Sequence, residues 1–157
     1  MPKIPSKLST ILSLVLAILF LVGLVALAIG MPRLVRTLVE LHDSIDGYAP
    51  VSPAGHTLLL ILAYVGVAIV ALADAILLLL LHSIRDGRVF TPYCVALLRS
   101  LSWCLIAFGG VFFAIGFVFR LAFIMAFVCV FIGICLRVVK NAFEEAVAIK
   151  EENELTI

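Results

Sequence analysis

Thr57–Leu81 reads TLLLILAYVGVAIVALADAILLLLL. It is 25 residues long, lacks any basic residue, and is interrupted by one acid, Asp74. A run of about 18 or more apolar residues predicts a membrane-spanning helix. Asp74 then lies in hydrocarbon, where a carboxylate costs roughly 2.5–3.5 kcal/mol on insertion scales.

Working outward, the whole chain shares this character. Of 157 residues, 65% are hydrophobic and 13% charged. Soluble domains carry about 45–50% and 25%, so the class is an all-α, polytopic membrane protein. A formal net charge of +1 leaves no basic surplus for binding nucleic acid directly. Cys94, Cys104, Cys129 and Cys135 form no C-x-x-C pair and read as small hydrophobes. Cys94, near an expected membrane surface, is also a candidate for palmitoylation.

Four spans are expected, at approximately residues 11–30, 57–82, 101–119 and 121–137, within one membrane domain covering 1–157. The first, Ile11–Ile29, has an Ala26-Leu27-Ala28 sequence of signal-peptidase type. Its apolar core exceeds the usual ~7–15 residues of a signal peptide, so an uncleaved helix is expected. Gly30-Met31-Pro32 predicts a break, opening an outer loop over residues 31–56. Within that loop, Leu34, Leu38 and Leu41 share one face of Arg33–His42, a pattern for a helix lying at the membrane surface. Asp43–Gly55 combines Asp-Gly, Ala-Pro and Ser-Pro and reads as turns.

The second span ends at Asp86-Gly87, a helix stop. Thr91-Pro92 is a helix start, with Thr91 as cap and Pro92 in the first turn. Residues 83–92 therefore form an elbow. Leu101–Leu136 is broken by one charge, Arg120. As one helix it would measure about 54 Å, against a hydrocarbon layer of about 30 Å. Two spans meeting near Arg120 resolve this, with Trp103 near an interface. Residues 138–157 are expected to continue the fourth span as an amphipathic helix, with Val139, Ala142, Phe143, Ala146 and Ile149 on one face.

With four spans the termini share a side. That side carries Lys3, Lys7, Arg85, Arg88, Arg99, Arg137, Lys140 and Lys150; the other carries Arg33, Arg36 and Arg120. Basic residues favour the cytoplasmic side, so both termini, the elbow and the tail helix are expected in the cytoplasm.

Asp74 is the sharpest candidate for function. An intramembrane acid marks a proton relay or substrate path, or else glues helices as a protonated or hydrogen-bonded group, with Arg99 on the third helix as partner. Ala26-x-x-x-Gly30 and Gly110-x-x-x-Ala114 are candidate close-approach pairs, and Gly109-Gly110 a kink or a crossing with the second helix. Arg85, Arg88 and Arg99 form a basic inner rim suited to anionic headgroups. His42, Asp43, Asp46 and His56 are too scattered to predict a metal site. No catalytic or cofactor fingerprint appears, so a non-enzyme without cofactor is expected.

DGRVFTPYCVALLRSLSW at residues 86–103 and AVAIKEENELTI at residues 146–157 resemble signatures of the YoaS-like family of uncharacterised small bacterial membrane proteins with four helices. The elbow form D-G-[KR]-x-F-[ST] falls on Asp86, Gly87, Arg88, Phe90 and Thr91. The tail form falls on Glu151, Glu152, Asn153, Leu155 and Thr156, with Ile149 in place of the family's leucine. These are the candidate partner-contact residues. The resemblance implies a cytoplasmic partner, a small helix-turn-helix regulator. The expected function is a regulatory or sensory membrane protein, possible also as a homo-oligomer in the lipid bilayer. The alternatives are a small transporter or channel-like oligomer using Asp74, and a membrane stress or immunity protein.

Overall fold

A computed structural model describes residues 6–45, 50–87 and 90–154. Four helices follow one another: α1 Ser6–Asp43, α2 Pro53–Arg85, α3 Pro92–Gly116 and α4 Ala122–Glu154. Each is long and apolar enough to cross a membrane. Their backbones come together in the order of synthesis, α1 on α2, α2 on α3, and α3 on α4. Large apolar side chains lie bare along the rods, among them Ile29 of α1, 78% exposed, and Phe127 of α4, 74% exposed. Water would not tolerate such surfaces; a lipid solvent does.

Two helix starts use the same grammar. Thr91 is extended, accepts a hydrogen bond from Cys94 N, and is followed by Pro92. Ser52 is likewise extended and accepts from Gly55 N, followed by Pro53. The second case corrects the expectation of a turn at Ser52-Pro53: α2 begins there, one turn before Thr57. At the other end of α2, Asp86 caps the helix and Gly87 takes φ 75°, the left-handed conformation glycine adopts most readily.

The predicted break at Gly30-Met31-Pro32 does not occur, because α1 runs straight through Pro32. Proline has no N–H to give the carbonyl of residue 28. That carbonyl instead accepts a hydrogen bond from the Tyr64 hydroxyl of α2, at 3.3 Å. Neighbouring helices commonly rescue the backbone in this way within membranes. The segment expected to lie flat therefore stands against α2. Met31, Val35 and Val39 are buried with Leu59, whereas Leu34, Leu38 and Leu41 are exposed. The Arg36–Glu40 pair at 2.9 Å sits on the exposed side, where such pairs contribute about 0.5 kcal/mol or less.

The turn near Arg120 is real and short. α3 stops at Gly116 and α4 starts at Ala122. Without proline, it closes through tight i→i+3 bonds, including Val118 N to Ile115 O at 3.0 Å and Ala122 N to Phe119 O at 2.8 Å. A Cβ on Gly116 would lie 2.7 Å from the Phe123 ring, so only glycine admits that ring.

The α3–α4 seam is the tightest. Ala122, Ala126, Cys129 and Gly133 line α4 at heptad spacing, all buried. A Cβ on Gly109 would lie 2.7 Å from Val130 Cγ2 and 3.1 Å from the Ala126 carbonyl oxygen. The close-approach glycine is thus Gly109, crossing α4. Neither Gly110 nor Gly30 has a neighbour within 4 Å of its would-be Cβ, which corrects both predicted small-residue pairs. Ser102, fully buried, donates from its hydroxyl to the Gly133 carbonyl at 3.0 Å and pins the seam.

Candidate functional site

Two features carry the predicted functional residues: the end of the molecule where elbow and tail meet, and Asp74.

At the elbow end, Leu80 of α2 packs with Cys94, Leu97 and Leu98 of α3, and Leu136 and Phe143 of α4 join them. Phe90, just before α3, stacks on Phe143 at 5.6 Å between ring centroids, with planes 30° apart. Arg99 reaches Glu144 at 3.4 Å, and Glu144 also pairs with Lys140 one turn earlier. Elbow and tail helix thereby form one composite face. The stripe of α4 that packs is Leu136, Phe143 and Val147. Of the apolar face expected from the sequence, Phe143 faces inward, while Val139 and Ile149 are exposed. Asp86, Gly87, Phe90, Thr91 and Glu152 are described. Arg88, Leu155 and Thr156 lie outside the described residues, as do the side chains of Glu151 and Asn153.

Arg99 is accordingly not the partner of Asp74. It sits on the α4 side of α3, held by a tail residue. Asp74 is 5% exposed, and its Oδ2 has no hydrogen-bond partner. Gly66 of α2 faces Phe108 and Val111 of α3, and Leu80 faces Cys94, Leu97 and Leu98. Asp74, between them, falls at about the level of Ser102. The hydroxyl there is already committed to α4. A buried acceptor left unmade costs about 1–3 kcal/mol. Asp74→Leu should therefore stabilise the protein by roughly 1 kcal/mol, net of the extra bulk, read from the midpoint of denaturation in mixed micelles. A loss of stability would mean that Asp74 has a partner holding the helices together.

Sequence reasoning missed Ser102 and Glu144. Ser102 was one small polar residue in an apolar run; its signal was the heptad of small residues on the facing helix. Glu144 was read only as part of an acidic tail. Of the outer-loop candidates, His42 and Asp43 touch at 3.3 Å and Asp46 lies outside the described residues. Among the described residues, no three His, Cys, Asp or Glu side chains gather as metal ligands.

Four apolar rods with bare hydrocarbon faces define a multi-pass integral membrane protein. Within that class, the chain belongs to the family described as Protein of unknown function (DUF2975), which matches residues 3–157. This is an uncharacterised family of the kind the elbow and tail motifs suggested; the match does not bear on the YoaS label. No curated protein and no solved structure matches the chain.

Proposed function

We propose that the protein is a non-enzymatic regulatory or sensory element of the bacterial inner membrane. Its elbow and tail helix would hold a cytoplasmic protein, and a helix-turn-helix regulator is the class the family resemblance implies. The observation that carries this reading is the composite face: Phe90 stacks on Phe143 and Arg99 meets Glu144, so the elbow signature packs on the part of α4 that leads into the tail signature. The eight-to-three distribution of basic residues supports a cytoplasmic position for it. The transport reading lacks comparable support, since Asp74 lines neither the apolar groove bordered by Leu24, Val67 and Phe108 nor the small polar pocket of His42, Ser52 and Arg120.

The test co-expresses the tagged full-length chain with a helix-turn-helix regulator encoded beside its reading frame; a neighbourhood without such a gene counts against the proposal. Ending the chain after Lys140 should reduce the regulator retained on the membrane protein by about tenfold or more, equivalent to at least ~1.4 kcal/mol of binding. Because that cut also removes Phe143, the exposed Glu145→Lys offers a gentler variant and should weaken retention with helix content unchanged. Undiminished retention in both overturns the proposal. So does a reporter fused after Ile157 that is active only outside the cytoplasm.

A further inference from the structure

We infer that the lipid-facing side of the α3–α4 hairpin fits a thinner bilayer than the rest of the molecule does, and that phospholipid phosphates at the elbow end are drawn in to Arg137. Between Arg120 and Arg137 the chain is uncharged from Leu121 to Leu136. These sixteen residues come to about 24 Å at 1.5 Å each. On α3 the uncharged stretch after Arg99-Ser100, Leu101–Gly116, has the same length. The other two helices are longer. α1 is uncharged from Leu12 to Pro32, and α2 from Thr57 to Leu81 apart from the buried Asp74, about 31 Å and 37 Å. An ordinary hydrocarbon layer measures about 30 Å. A helix that overfills it can tilt, but the hairpin falls about 6 Å short and has no such remedy.

Short spans usually gain reach by snorkelling, with a terminal arginine or lysine stretched along the axis toward water. Arg137 does not do this. Its guanidinium lies over the Trp103 ring of α3, 4.3 Å from the centroid. Ser102, the neighbour of Trp103, is bonded to Gly133, one turn nearer the membrane centre than Arg137. The side chain therefore reaches across the seam and not outward. Lys140, the next cation on α4, is held by Glu144 and Asn141. Arg99 and Lys140 share Glu144, while Arg137 pairs with no carboxylate among the described residues. Phosphate is the counter-charge that a membrane supplies at this place.

The face concerned is bare. Phe127, Phe131 and Trp103 are all more than half exposed, and the backbone of α4 meets that of α3 alone. Thinning the layer costs a modest amount per Å, whereas an arginine in hydrocarbon costs a large one, so the layer gives way to the charge. A preference of this kind needs no partner protein, and it can hold or fail independently of the regulator reading.

Trp103 is the chain's one tryptophan, so its fluorescence reports on this face. The full-length chain would be placed in bilayers that mix a phosphatidylcholine brominated on its acyl chains, which quenches indole, with unbrominated phosphatidylcholines of fourteen to twenty-two carbons. The quenching yields the relative affinity of each lipid for the surface around Trp103. Chains of fourteen to sixteen carbons should bind about threefold tighter than chains of twenty-two. Arg137→Leu lengthens the uncharged stretch to Val139 and should move the optimum to chains longer by about two carbons. Arg137→Lys keeps the charge but frees it to snorkel, and should move the optimum part of that way. Affinity independent of chain length, an optimum at eighteen carbons or longer in the unmodified chain, or an optimum unmoved in Arg137→Leu would each overturn the inference.

Discussion

Gly109→Leu will lower the stability of the protein by about 3 kcal/mol or more, whereas Gly110→Leu will leave it within about 0.5 kcal/mol. The two glycines are neighbours on one helix and share its backbone conformation, so propensity favours leucine equally at both. Only their surroundings differ. A Cβ at Gly109 meets Val130 Cγ2 at 2.7 Å and the Ala126 carbonyl oxygen at 3.1 Å; a Cβ at Gly110 meets nothing within 4 Å. Valine is stiff at χ1 and the carbonyl is fixed by its helix, so neither can yield without parting α3 from α4. Parting them would also stretch the Ser102–Gly133 bond. Denaturant midpoints in mixed micelles, followed by far-ultraviolet circular dichroism, would measure the pair. Equal effects at both positions would show that the seam is not where it has been placed.

Tyr64→Phe should cost about 2 kcal/mol, since it leaves the Ala28 carbonyl without a donor in an environment that offers no water. The same change in a Pro32→Ala background should cost less than about 0.5 kcal/mol, because residue 32 then supplies the N–H that proline lacks. Such a thermodynamic cycle isolates the coupling between the proline on α1 and the hydroxyl on α2. A cost that is the same in both backgrounds would mean that the 3.3 Å contact does not compensate for the proline.

These two sites mark where sequence reading succeeds and where it stops. Four rods were legible because composition and bilayer thickness each constrain the answer. The turn near Arg120 followed from length alone, since one helix over Leu101–Leu136 would overshoot the membrane. Thr91-Pro92 was legible as a helix start because a capping side chain and a proline in the first turn act locally. Ser52-Pro53 carries the same signal but stands among Asp-Gly and Ala-Pro, and the run of turn residues obscured it. Pro32 misled for a different reason. Its remedy, Tyr64, lies on another helix, and no local pattern announces a carbonyl rescued from a distance. The glycine pairs misled because i,i+4 spacing says nothing about which face meets a neighbour; the heptad of small residues on α4 did. For the candidate site, the sequence placed elbow and tail at one end, but the pairing of Arg99 with Glu144 rather than Asp74 required knowing which way α3 is turned.

The serial packing of α1 through α4 bears on how the molecule is made. Each hairpin can zip as soon as its second strut leaves the ribosome, and such low contact order favours rapid folding. The far end of the first strut is the exception: His42 meets the Phe119 ring, which is made much later, so that corner closes only once the third strut is in place.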